Sequence, residues 1–280
     1  MLMDVVETVQ LWALKAAGAK SRRVDGGLGH VHILDVPGSG KGPPLVVIHG
    51  LGDAGVHFWL MILQLRKDFS RILVPDLLGH GYSDDHAELS GELIFGALVD
   101  ALDRELGNDK AVVFGNSLGG SLAMGFAQMR PERVERLILV SPAGASWDET
   151  EFAEVMGAFD IQEKAKAIAF VHRLHKKPTW YARFIAPSIA RVYARPGMVH
   201  LLRSFRRKSA HTPEMLQLVR APTLLLWGGR DRILPKSSVA YFRAHLNATV
   251  EEPEGWGHCP QLDSVGSLSE RVRRWAKDNA

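Results

Sequence analysis

The chain has 280 residues, 46% of them hydrophobic, enough for one large α/β domain or two small ones. Its single cysteine, Cys259, excludes an intrachain disulfide and suits a reducing compartment. No apolar run reaches the length of a membrane span, Asp4 and Glu7 stand where a signal peptide would be basic, and the net charge is only +3; a cytoplasmic location is expected.

Residues 2–17 put Leu2, Val5, Val6, Val9, Trp12, Ala13 and Ala16 at helical spacing, which predicts a helix packed on the domain surface. A peripheral membrane or partner contact is the alternative for that face. Gly26, Gly27 and Gly29 break the pattern, and His30 to Val36 alternates like a strand. His30 and His32 share a face there, but no third ligand lies near, so no metal site is expected. Leu45-Val46-Val47-Ile48 is a β-branched run of the kind buried on both faces. It ends in His49-Gly50-Leu51-Gly52-Asp53, a glycine-rich turn suited to presenting a backbone N–H to a ligand. A helical stretch within 56–69 and a strand at Ile72-Leu73-Val74 follow, then the loop Pro75–Asp84. Ser90 caps a helix that Gly107 stops.

The chain is organised around Gly115-Asn116-Ser117-Leu118-Gly119-Gly120. It follows the apolar run Ala111–Phe114 and leads into a helical pattern, so strand, sharp turn and helix surround a G-x-S-x-G core. A serine on so tight a turn takes a strained backbone, and its neighbours two positions away must be small; Gly115 and Gly119 meet that need. Arg130-Pro131 ends the helix, and Leu137–Val140 is a further buried strand. From 144 to 213 no strand is expected, only helices broken at Pro178, Pro187, Pro196-Gly197 and Pro213. Strand logic resumes at Thr223–Trp227 and near Thr249–Glu252, with helices over 236–246 and 264–277. Two turns follow these late strands: Gly228-Gly229-Arg230-Asp231 and Gly255-Trp256-Gly257-His258. Functional groups gather at the carboxyl ends of parallel strands, and Ser117, Asp231 and His258 all fall there in the order Ser…Asp…His.

These motifs, with Pro75-Asp76-Leu77-Leu78-Gly79-His80-Gly81-Tyr82-Ser83, make the chain resemble the α/β-hydrolase fold superfamily over about residues 24–277. The resemblance implies an α/β fold with a mainly parallel eight-stranded sheet flanked by helices and a helical cap inserted after strand 6. It divides the chain into core (1–143), cap (144–213) and core (214–280). Carried over, Ser117 is the nucleophile, His258 the general base and then acid, and Asp231 the residue that holds His258 in the right tautomer. Leu51 and Leu118 lend backbone N–H groups to an oxyanion hole. Gly50, Asn116 and Trp256 are candidate pocket residues; Asn116 alternatively serves the turn, and Trp256 and Trp59 alternatively serve the core. Asp148 and Asp76 are the other carboxylates that could take the Asp231 role. His49 and His80 are expected to support their loops, and Cys259 to be a buried small residue. No metal or organic cofactor is implied.

Serine at the elbow argues against the aspartate-using dehalogenase and epoxide hydrolase relatives. The expectation is a serine hydrolase cleaving a small or medium carboxylic ester through an acyl-serine intermediate, with a small molecule and no nucleic acid as partner. The alternatives are a C–C bond hydrolase of the meta-cleavage type, a cofactor-free peroxidase or perhydrolase, and a receptor with a vestigial triad. The charge is unevenly spread: residues 164–213 hold twelve Lys or Arg and no Asp or Glu, leaving 22 bases against 31 acids elsewhere. The bases of that stretch, Arg203, Arg206, Arg207 and Lys208 among them, are expected to form a solvated face. A weak contact with an anionic lipid surface, or guidance of an acidic substrate, is the sharper reading.

Overall fold

The computed structural model describes residues 2–206 and 209–277, so the expectations for Arg207 and Lys208 lie outside the described residues. Eight strands form one sheet: β1 (Lys20–Asp25), β2 (His30–Pro37), β3 (Leu45–Ile48), β4 (Arg71–Pro75), β5 (Ala111–Asn116), β6 (Val134–Val140), β7 (Thr223–Leu226) and β8 (Thr249–Glu251). Their order is β1-β2-β4-β3-β5-β6-β7-β8, with β2 antiparallel to both neighbours and the other pairs parallel. This is the α/β-hydrolase fold. The middle stretches of the central strands are apolar on both sides because both faces are covered. Val46 and Ile48 of β3 join one core layer with α3 (Gly91–Leu106) and α4 (Leu118–Met129), whereas Leu45 and Val47 join the other with α1 (Leu2–Ala16), α2 (Trp59–Leu65) and α12 (Val265–Lys277).

Local signals set several boundaries. Ser90 Oγ accepts a hydrogen bond from Leu93 N at 3.2 Å at the start of α3, and Gly107, at φ 54°, ends it. β1 escapes a sequence reading because it is a polar edge strand, Lys-Ser-Arg-Arg-Val-Asp, whose half-exposed face carries no apolar alternation. Its register, Lys20 opposite Asp35 through Asp25 opposite His30, is supplied by β2. Charges on such an edge discourage pairing with another chain.

Between β6 and β7 the described residues contain helices and no strand: α5 (Glu149–Ala158), α6 (Lys164–Leu174), α7 (Ala182–Tyr193), α8 (Pro196–Ser204) and the short α9 (Pro213–Gln217). Pro196 and Pro213 open their helices, where a missing N–H costs little. The expected break at Pro187 does not occur: α7 runs through it, with Pro187 on the exposed side where water can take up the carbonyl it leaves unpaired. Where this segment leaves and rejoins the sheet, His211 N donates to Gly144 O at 2.8 Å.

Candidate active site

The turn after β5 holds Ser117 at φ 56°, one of two non-glycine residues with positive φ among the described residues. Its N–H donates to Val140 O at 3.1 Å and its carbonyl accepts from Ala143 N at 2.9 Å, so strand β6 and its following loop grip the turn on both sides. A side chain on Gly115 would come within 2.2 Å of Gly119 O, and one on Gly119 within 2.2 Å of Ile48 O. No other residue fits at either position. Gly50 is also close, with an added Cβ 3.2 Å from Ser117 Cβ, so the turn after β3 lies beside the serine. Leu118 opens α4, and its N–H therefore has no carbonyl one turn back to pair with.

Asp231 and His258 come from the turns after β7 and β8. Their backbones meet at Gly228, where a Cβ would lie 2.3 Å from Gly257 O. Asp231 Oδ2 is 2.7 Å from His258 Nδ1, and both side chains are buried. Asp231 Oδ1 accepts from Ile233 N at 2.8 Å and Leu234 N at 3.1 Å. Burial alone would raise the pKa of this carboxyl group, but the His258 ring and the two N–H groups outweigh it and hold the pKa below the usual carboxylate value. The other carboxylates are engaged elsewhere. Asp148 forms a capping box with Glu151 at the start of α5, and buried Asp76 accepts from His32 Nδ1, Gly55 N and Tyr82 N.

Asn116 reaches across the same region. Its Nδ2 donates to Val140 O at 3.0 Å and His258 O at 3.2 Å, while its Oδ1 accepts from Gln261 Nε2 at 3.1 Å. It lines the cavity, but its amide is spent on fastening the His258 turn to the end of β5. Trp256 is a correction to the expected pocket: its ring is buried in the core layer that holds α12, under the Arg271 guanidinium at 5.1 Å. Trp59 packs against the same layer. The cause is direction, since Trp256 and His258 lie two residues apart on an irregular turn, not on a strand that would aim them alike. His49 accepts from Leu77 N at 2.9 Å through Nε2, so its Nδ1–H donates to Gly50 O at 2.8 Å and shapes the turn beside Ser117. His80 binds Leu78 O, and burial followed by the neighbouring His49 drives its pKa down to about 4. Cys259 is buried, and that burial pushes its thiol pKa well up. His30 and His32 bond to separate carboxylates, Asp84 and Asp76, and among the described residues no cluster is arranged to hold a metal ion.

Two apolar cavities meet at Ser117. The larger, about 330 Å³, is lined by Ser117, His258, Gly50, Asn116 and apolar residues of the segment between β6 and β7, including Phe159, Phe170, Ile185 and Tyr193. The smaller, about 110 Å³, runs from Ser117 and Leu118 past Trp147, Val155 and Phe205. Three features of these walls left no mark in the sequence. Helix α1 is a wall of the larger cavity through Met3, Val6 and Gln10, and it packs on α7. His57, also in that wall, bonds Asp53 through Nδ1 and Glu7 Oε1 at 3.2 Å through Nε2. Burial opposes its charge, but Asp53 and then Glu7 overcome this and raise its pKa to about 10. Third, Tyr193 Oη donates to Leu51 O at 2.9 Å, and its ring covers Gly52. Apart from the His57–Asp53 pair, four positions apart, each is a contact between residues tens of positions apart, to which local patterning is blind.

A family model described as the alpha/beta hydrolase family matches residues 45–268, and the chain belongs to that family. An uncharacterised protein of Mycobacterium tuberculosis is 28% identical over 261 residues, 85% of this chain and 76% of its own length. The 2-hydroxymuconate semialdehyde hydrolase of Pseudomonas sp. is 38% identical over 128 residues, covering 44% of each chain. Among solved structures, a membrane phospholipase A described as a bacterial virulence factor superposes with a TM-score of 0.83 at 21% identity, covering 98% of this chain and 90% of that one. A 2-hydroxy-6-oxo-6-phenylhexa-2,4-dienoate hydrolase from Rhodococcus gives a TM-score of 0.80, also at 21% identity, over 93% and 99%. At these identities the structures speak to the fold.

Proposed function

We propose that the protein hydrolyses a carboxylic ester of small or medium size through an acyl-serine intermediate. The observation that carries this reading is the convergence on one cavity of Ser117, held at positive φ, and His258, whose Nδ1 sits on the Asp231 carboxylate. Ser117 Oγ attacks the ester carbonyl while His258 Nε2 takes its proton and then delivers it to the departing alcohol. Asp231 keeps the proton of the neutral ring on Nδ1 and stabilises the imidazolium. The N–H groups of Leu51 and Leu118 receive the negative charge that develops on the carbonyl oxygen; removing one such donor costs about 3–4 kcal/mol where it has been measured. Water then repeats the sequence on the acyl-serine and releases the acid. Two apolar spaces meeting at the serine give the acyl and alcohol portions separate room.

The relatives named as dienoate and semialdehyde hydrolases favour a second reading, C–C bond cleavage by the same three side chains. Charge weighs against it. Among the described residues the larger cavity has Asp53 in its wall and neither Lys nor Arg, and the His57 charge is already balanced by Asp53 and Glu7. An acidic dienoate would face a carboxylate there. None of the described bases of the 164–213 stretch lines the larger cavity, and Arg173, Lys177, Arg183, Arg191, Arg195 and Arg203 are exposed. Arg206 reaches only the smaller cavity, and its guanidinium is taken up by the carbonyls of Arg203 and Phe205.

A panel of p-nitrophenyl esters of increasing chain length, run beside a ring-fission dienoate with Ser117→Ala as control, tests the reading. Ester turnover without dienoate cleavage is expected, together with a fluorophosphonate adduct on Ser117 and none on Cys259, whose raised pKa keeps it a thiol. Faster cleavage of the dienoate, or an unlabelled Ser117 in folded protein, overturns it.

A further inference from the structure

The larger cavity opens to the outside between α1 and α7. Val6 and Leu262 line it yet are 38% and 42% exposed, and Tyr181 and Ile185 form its opposite wall. Both sides of this mouth carry apolar side chains with no core to pack in. On α1, Val5, Val9 and Trp12 recur at helical spacing with 59%, 58% and 71% exposure, forming a stripe beside Val6. Beside the start of α7, Trp180 is 81% exposed and packs edge-on against Phe184, itself exposed. Exposed apolar side chains on two elements that wall one cavity are costly unless something apolar covers them.

The surrounding charge selects what that is. Arg183 lies over the Phe184 ring at 4.6 Å, Lys177 is exposed nearby, and no acid occurs between 164 and 213. On the α7 side the apolar side chains are flanked by bases, and on α1, which carries Asp4 and Glu7, Glu7 is paired with His57. With indole rings at the boundary, the α7 side suits the interface of an anionic bilayer, where acyl chains lie below and phosphates above. We infer that this mouth is a membrane-docking surface, through which an acylated substrate passes from an anionic lipid bilayer directly to Ser117. The delivery step rests on the ester reading; the docking does not. It also differs from docking by the whole basic stretch, because Arg203 and Arg206 lie beyond α7 at the end of α8 and are not needed for it.

Ser117→Ala protein keeps binding apart from turnover. Its co-sedimentation with vesicles of phosphatidylcholine containing 30% phosphatidylglycerol, as about one lipid in three, is expected to be strong at low salt and weaker at high salt. Trp12→Ala combined with Trp180→Ala should lower the partition coefficient at least about tenfold, the loss expected for two interfacial side chains. Arg183→Gln should lower it about fivefold at low salt only. Brominated lipid should quench the tryptophan emission of the parent protein more than that of the double variant. In the otherwise wild-type background, neither change should alter turnover of a soluble short-chain ester, because none of these residues lines either cavity at Ser117. Vesicle binding that is absent, or equal in parent and double variant, overturns the inference. So does a dimer in sedimentation velocity that the double variant dissociates, since a second copy would then be the occupant. Failure of ester turnover with vesicle binding intact would instead overturn only the proposed reaction.

Discussion

Asp231→Asn isolates the least local element of the site. The native carboxylate divides its work: Oδ1 accepts from Ile233 N and Leu234 N, and Oδ2 faces His258 Nδ1 at 2.7 Å. An amide has one acceptor and one donor end. The two backbone N–H groups require the oxygen, so the NH2 turns toward His258. The ring must then present a bare Nδ1, its proton moves to Nε2, and Nε2 cannot take the Ser117 proton. The fold loses little, because the shape and both backbone bonds persist. In serine proteases the equivalent change lowers kcat about 10⁴-fold, or about 5.5 kcal/mol of barrier at roughly 1.4 kcal/mol per factor of ten. The assay is kcat for p-nitrophenyl butyrate, with thermal unfolding recorded on the same samples. Asp148→Asn is the control, since asparagine caps a helix about as well as aspartate and the Asp148 carboxylate is spent on Glu151 N rather than on His258. An Asp231→Asn enzyme within tenfold of wild type, or an Asp148→Asn enzyme that loses the activity instead, would refute the assignment.

Two further outcomes follow from the packing. The folded-state pKa of His57, about 10, lies above its ordinary value of 6.5. Its pairing with Asp53 and Glu7 therefore stabilises the fold fully below pH 6.5, and that contribution is lost as pH rises through 10. Melting temperature should fall more steeply between pH 7 and 10 in wild type than in His57→Gln; parallel curves would mean that the imidazolium contributes nothing. Gly119→Ala puts a methyl group 2.2 Å from Ile48 O and 2.4 Å from His49 O, both main-chain atoms. It should cost about 1–3 kcal/mol of stability and, by parting the Ser117 and Leu51 turns, at least about a hundredfold in kcat. Gly157→Ala in α5, with no atom within 4 Å of the new carbon, should be neutral or stabilise by up to about 1 kcal/mol; equal behaviour of the two variants would refute the packing argument.

The sequence by itself determined whatever is encoded by neighbours along the chain. The G-x-S-x-G turn, the apolar strands before each functional turn, the Ser90 cap and the Gly107 stop are local conformational preferences, and each can be read where it stands. The doubly covered strands were legible for the same reason: a run such as Leu45–Ile48 with no polar residue leaves no face for water. Tertiary structure alone decided the rest. β1 is a strand because β2 offers it hydrogen bonds, and Pro187 stays helical on the solvent-facing side of α7. Trp256 turns into the core while His258, two residues on, meets Asp231. The amphipathic pattern of α1 predicts a helix but cannot say that Val6 faces a cavity while Val5 and Trp12 face solvent. Nor can any window of sequence bring Glu7 to His57, Tyr193 to Leu51, or Asn116 to the carbonyl of His258. Those contacts depend on how separate segments stack upon the sheet, a many-body outcome of burying its two faces, and they fix the shape and charge of the cavity around Ser117.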